Sequence, residues 1–130
     1  MIFVDSSVWI DFFNGRRTRE TDLLYDLLGC EPILIGDIVL AEVLHGFRED
    51  RDFRVASELL HHLEIARVLD ARLALKSARD LRSLRKRGIT VGKTIDSIIA
   101  TFCFDGGHDL LLAVRDFDPV EHHLGLAVVR

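Results

Sequence analysis

The sequence predicts an α/β fold with a mostly parallel sheet covered by helices on both faces. Three observations carry this. Short apolar runs recur along the chain, as in Met1-Ile2-Phe3-Val4, Ile33-Leu34-Ile35 and Leu110-Leu111-Leu112-Ala113-Val114. Longer stretches of helical character separate them, and Gly, Pro, Asn, Asp or Ser marks most of the changes. Strands that alternate with helices in this way belong to a parallel sheet buried on both sides. At 130 residues and 14.8 kDa the chain is sized for one domain covering residues 1–130.

Each element has a local reason. Met1 to Val4 reads as a buried strand ending at Asp5, where Ser6 or Ser7 caps a helix to about Phe13 that Asn14-Gly15 stops. Thr21 to Leu28 is a leucine-rich helix closed by Gly29, and Pro32 leads into the strand Ile33 to Gly36. Asp37 is placed to cap a helix from Ile38 to about Leu44, and a charged helix runs from about Asp52 to Leu63. Ile65 to Leu69 reads as the third strand. A basic helix fills Asp70 to Gly88, with Ala74, Ala78, Leu81 and Leu84 read as its apolar face. The loop Thr90 to Thr94 then opens a helix from Ile95 to Phe104 that Gly106-Gly107 ends. Leu110 to Val114 and Leu126 to Val129 are the last strands.

Bulk composition narrows the function classes. Hydrophobic residues make up 48% and charged residues 29%, the balance of an ordinary globular chain. No apolar run is long enough to cross a bilayer and no cleavable leader precedes the first strand, so the cytoplasm is the expected location. Cys30 and Cys103 are far apart, form no metal-binding spacing, and read as reduced packing residues. His61-His62 and His122-His123 are poor chelates because adjacent helical residues diverge by about 100°. The net charge of −4 excludes nucleic-acid binding through a global positive field. Arg72, Lys76, Arg79, Arg82 and Lys86 still line one side of their helix, either as a solvated face or as a ridge that tracks phosphates.

Four acids define the candidate chemistry: Asp5, Glu42, Asp96 and Asp116. Asp5 tips the first strand, and in open α/β sheets the crevice beyond the carboxyl ends is where ligands bind. Glu42 lies within an apolar helix, where an isolated charge is costly unless it is paired, hydrogen-bonded, bound to a cation, or reaches water at the helix edge. Asp96 sits in a first helical turn, which the helix dipole favours by about 0.3–1 kcal/mol. Asp116 follows a strand, beside the turn former Asp118-Pro119. Several carboxylates at one edge would repel unless a hard cation neutralised them, and oxygen-only ligands suit Mg²⁺ or Mn²⁺. Such an ion polarises a phosphoryl oxygen and acidifies water, so phosphodiester hydrolysis is the matching reaction.

The blocks Val4-Asp5-Ser6-Ser7-Val8-Trp9-Ile10, Ala41-Glu42-Val43, Lys93-Thr94-Ile95-Asp96-Ser97-Ile98-Ile99-Ala100 and Arg115-Asp116-Phe117-Asp118 resemble a PIN-domain ribonuclease of the VapC toxin type. The resemblance spans nearly the whole chain. It implies a compact three-layer α/β/α sandwich, Mg²⁺- or Mn²⁺-dependent endonucleolytic RNA cleavage, a homodimer, and inhibition by a cognate antitoxin in a toxin–antitoxin hetero-oligomer. Asp5, Glu42 and Asp96 map onto the acidic core, with Ser6, Ser7 and Thr94 as nearby polar groups and Lys93 as a phosphate contact. Many relatives carry an acid where this chain has Val114, so Asp116 becomes the replacement candidate. By this assignment Asp5 and Asp96 hold the cation, Glu42 orients or deprotonates water, and Asp116 supports the shell. The segment Phe47 to Leu63 mixes an apolar stripe with charges and fits either core packing or a groove for the antitoxin.

Two other classes remain open at this point. A receiver-type phosphoacceptor domain shares the length and alternation, although it needs adjacent acids after the first strand and here Asp5 is followed by Ser6-Ser7. A catalytically weakened nuclease fold that only binds a partner is compatible with Val114.

Overall fold

The computed structural model of the chain describes residues 1–89 and 94–113. The sequence-predicted strand at Leu126–Val129, the groups Lys93 and Asp116, and the turn at Asp118-Pro119 lie outside the described residues. Four strands, β1 (Ile2–Val4), β2 (Ile33–Gly36), β3 (Glu64–Ala66) and β4 (Asp109–Leu111), form a sheet in the order β3-β2-β1-β4. Every neighbouring pair is parallel. The helices are α1 (Ser6–Phe13), α2 (Arg19–Leu27), α3 (Asp37–His45), α4 (Asp50–His61), α5 (Ala71–Lys86) and α6 (Thr94–Gly106).

The α/β class and the helical layers therefore stand as the sequence predicts. α1 packs on α2 and α3, α3 on α4, and α5 pairs with α6. Strand order also removes the receiver reading. That fold orders its strands 2-1-3-4-5, whereas here β3 lies beyond β2 and β4 returns to the other side of β1. The reversal of direction falls beside β1, which is where an open α/β sheet forms its crevice.

β1 is flanked on both sides, so Phe3 and Val4 are fully buried, together with Ile35, Leu110 and Leu111. Each such side chain contributes about 1.5–3 kcal/mol by leaving water. Phe3 meets Phe102 of α6 with ring centroids 5.8 Å apart, and Trp9 of α1 stacks on Phe13 at 5.9 Å. The first contact fixes α6 against β1, the strand that leads into Asp5, and the second lies within α1, whose Val8 and Trp9 are buried in the core.

Several boundaries move for identifiable reasons. α2 starts at Arg19, two residues before Thr21, because Thr18 and Thr21 form a reciprocal capping box. Asp37 is the first residue of α3 and not its cap; its carboxylate accepts from the Ile38 amide at 2.8 Å and the Val68 amide at 3.1 Å. That second bond helps to explain why β3 is only Glu64–Ala66, since Val68 is drawn toward the end of β2. α4 begins at Asp50, and Gly106 closes α6 from inside, with the left-handed turn at Gly107 (φ 69). The buried face of α5 is Leu73, Ser77 and Leu84, while Ala74 and Ala78 are exposed. Ser77 is there because its hydroxyl shares a 3.2 Å hydrogen bond with Ser97 of α6. Cys103 is a packing residue as expected, but Cys30 is exposed; both are free thiols. Among the described residues no helix is long and apolar enough to cross a membrane.

Gly36 is fixed by space rather than by backbone conformation. A Cβ there would lie 2.5 Å from Val68 Cγ2 and 2.9 Å from Phe3 Cζ. Gly36→Ala is expected to lower unfolding stability by about 1–3 kcal/mol through overpacking, measured as a lower urea midpoint with an unchanged m-value.

Candidate functional site

Asp5 is the centre of the site because of where β1 stops. It is only 4% exposed and caps α1 from extended backbone (φ −70, ψ 155). Its amide donates to the Leu111 carbonyl at 2.9 Å, continuing the β1–β4 ladder by one step. Its Oδ2 accepts from the Ser7 amide at 3.1 Å and from the Ser7 hydroxyl at 2.6 Å. Ser7 Oγ in turn accepts from the Ala113 amide at 3.3 Å. Ser7 is thus engaged on both sides, holding the carboxylate and tying it to the end of β4. Ser6, half-buried beside it, also favours the charged form of Asp5 through its amide.

Burial pushes the Asp5 carboxyl above its ordinary value of 3.8, the Ser7 bonds oppose that rise, and the negative charge of Glu42 adds to it. Glu42 is therefore near enough for its charge to act on Asp5. It is not, however, a buried carboxylate. α3 turns Val39 and Val43 inward, and Glu42, one residue or about 100° away from Val43, is exposed. Its side chain stands at the helix edge, open to water.

Asp96 stands at the same edge of the sheet. Residues Gly107-His108 lead straight from the end of α6 into β4, so the last turn of α6 is at the amino edge of the parallel strands and its first turn is at the carboxyl edge. Asp96 is half-buried in that first turn, with Ser97, Ile99 and Ala100 buried behind it; Thr94 is exposed. Lower on the same helix, Cys103 lies fully buried, its thiol pushed up by burial and also by the charge of Asp5. α6 therefore passes directly behind Asp5. Sequence reading missed the Ser77–Ser97 bond that locks α5 to α6 next to Asp96; the signal was a serine on the inward side of each helix.

The donors fit a hard cation in kind: two acidic oxygens that repel each other, with a third carboxylate at the same edge. Among the described residues, no group of three His, Cys, Asp or Glu side chains is set to hold a metal ion. The fourth sequence candidate, Asp116, lies outside those residues.

The family profile described as PIN domain matches residues 2–121. The chain belongs to the PIN-domain family. Among curated relatives, Ribonuclease VapC11 of Mycobacterium tuberculosis is 27% identical over 128 residues, covering 92% of this PIN domain chain and 91% of the relative. Among solved structures, VapBC2 from Rickettsia felis bound to a promoter DNA fragment matches with a TM-score of 0.74 at 19% identity, covering 99% of this chain and 98% of the matched one. VapC20 of Mycobacterium tuberculosis, described as a sarcin-ricin loop cleaving toxin, matches at 0.70 and 17% identity, with 92% and 95% covered. At these identities the structural likeness establishes the PIN fold.

The opposed effects on Asp5 can be separated. Since its folded pKa is raised, ionising Asp5 costs stability, a cost absent below the unfolded value and complete above the folded one. Glu42→Gln is expected to lower the Asp5 pKa and Ser7→Ala to raise it, read from carboxyl ¹³C shifts across a pH titration. An Asp5 titration unmoved by Glu42→Gln would show that the two carboxylates do not interact.

Proposed function

We propose that this PIN-domain chain is a metal-dependent endoribonuclease, the toxin of a VapBC-type toxin–antitoxin module, and that a cognate antitoxin inhibits it. The observation that carries the reading is a buried carboxylate at the carboxyl end of the central strand with a second acid acting on it. Family membership and the curated ribonuclease relative support the same class.

Asp5, Asp96 and Glu42 would hold Mg²⁺ or Mn²⁺, joined by Asp116 from outside the described residues. When bound, the ion supplies electrophilic activation of the scissile phosphate and neutralises the carboxylates. Ser7 keeps the Asp5 oxygen aimed and favours its charged form against burial. Glu42, exposed and free of the core, would orient a water molecule and take its proton as the water oxygen bonds to phosphorus and the scissile P–O bond breaks, the departing oxygen leaving as a hydroxyl with a proton from solvent. Thr94, Ser6 and Lys93 are assigned to the RNA strand near the cut.

The proposed antitoxin contact is the groove of about 510 Å³ between the end of α1 and the start of α4, where Phe13, Phe47, Val55 and Ala56 supply apolar surface and Arg48 and Arg51 charge. Val55 is 59% exposed, more than core packing would leave it. The reading extends to a cytoplasmic homodimer assembled with its antitoxin.

One assay tests both parts. A mixed RNA pool is expected to be cut with Mg²⁺ or Mn²⁺, at least about 100-fold more slowly by Asp5→Asn, which keeps the cap but removes the charge. The product of the adjacent gene is expected to stop wild-type cutting and to fail against Val55→Asp. An RNA pool left intact by the wild-type chain at every metal tested would leave a PIN fold that binds a partner without cutting RNA. The absence of a three-acid cluster among the described residues makes that the second reading.

A further inference from the structure

We propose, resting on the nuclease reading above, that the C-terminal half of α5 is a phosphate-binding ridge that holds the RNA strand entering the acidic crevice. The evidence is a division of charge along one helix. In its first half, Arg72 and Lys76 both bind Asp105 of α6, at 2.8 Å and 2.9 Å. In its second half, Arg79, Arg82, Arg85 and Lys86 are exposed, as is the following Arg87, and none of them has an ion pair among the described residues. The acid on this stretch, Asp80, accepts instead from the Thr101 hydroxyl at 3.2 Å. In a chain of net charge −4, five exposed cations without an ion pair among the described residues thus follow one another along two to three turns.

The position of those turns matters as much as their charge. Contacts between α5 and α6 run in opposite directions, Arg72 and Lys76 meeting Asp105 and then Asp80 meeting Thr101. The helices are antiparallel, and Ser77 at mid-α5 already meets Ser97 next to Asp96, so the second half of α5 runs past the first turn of α6 at the carboxyl edge where Asp96 and Asp5 stand. Cations near a helix C-terminus also complement its dipole, which accounts for Arg85 and Lys86. That effect fades within the last turn and leaves Arg79 and Arg82 without a structural task. A polyanion threaded past the acidic crevice needs positive charge beside it, and this is where the fold supplies it.

The test measures RNA binding rather than cutting. In the full-length Asp5→Asn chain with Mg²⁺, the affinity for a single-stranded RNA of mixed sequence is followed as salt is raised. Adding Arg79→Gln, Arg82→Gln and Lys86→Gln is expected to reduce the slope of log affinity against log salt by about 2, at about 0.7 per lost phosphate contact on a single strand. Arg72→Gln with Lys76→Gln is expected to leave it unchanged. Arg82→Gln alone, a fully surface change, is expected to lower the slope by about 0.7 and serves if the triple variant loses its helical circular dichroism. Equal slopes in the parent and the second-half variants would overturn the ridge while leaving the nuclease reading intact. Equal losses from both halves would also overturn it, as an effect of net charge. A parent chain that binds no RNA at any salt would overturn both.

Discussion

A carboxylate is kept at the end of the central strand against two forces that favour its protonation, and the site is arranged around that conflict. Asp5 is desolvated by the packing of α1 and α6 on β1, and Glu42 adds a like charge. Ser7 opposes both with an amide and a hydroxyl, and Ala113 fixes that hydroxyl from the end of β4. A residue chosen only for stability at this position would be apolar or neutral. Retaining an acid where burial disfavours its charged form marks a candidate for chemistry.

The rest of the fold positions this group. Because β1 is flanked by β2 and β4, its carboxyl end is sheltered on both sides, and the change of direction in strand order opens the crevice there. α3 leaves the neighbouring strand β2 and carries Glu42 past that opening. α6 descends behind Asp5 toward β4, bringing Asp96 to the rim. The two acids reach one edge from elements far apart in sequence, through parallel topology alone.

Much of this was legible in the chain. An apolar run broken by Asp5-Ser6-Ser7 is a strand that delivers an acid, and the placement of Asp96 follows from an N-terminal helical turn. What stayed hidden depended on tertiary partners. Helical periodicity set Ala74, Ala78, Leu81 and Leu84 on the apolar face of α5; Leu84 is buried there, yet Leu73 and Ser77 are buried in place of the two alanines, because a serine can be buried once Ser97 satisfies it. Asp37 has the composition of a cap but spends its carboxylate on the Val68 amide, which comes from 31 residues away. Glu42 was placed among apolar neighbours by sequence, but one helical step separates the core-facing Val43 from the exposed Glu42. At Ser77 and Asp37 a long-range contact overrules a local propensity.

The central claim is that these dispersed carboxylates share one hard cation. Paramagnetic broadening of side-chain carboxyl signals by substoichiometric Mn²⁺ reads this directly, residue by residue. Asp5, Glu42 and Asp96 are expected to broaden together and first. Broadening led by acids elsewhere, such as Asp22 and Asp26 along α2, with Asp5 remaining sharp, would contradict it.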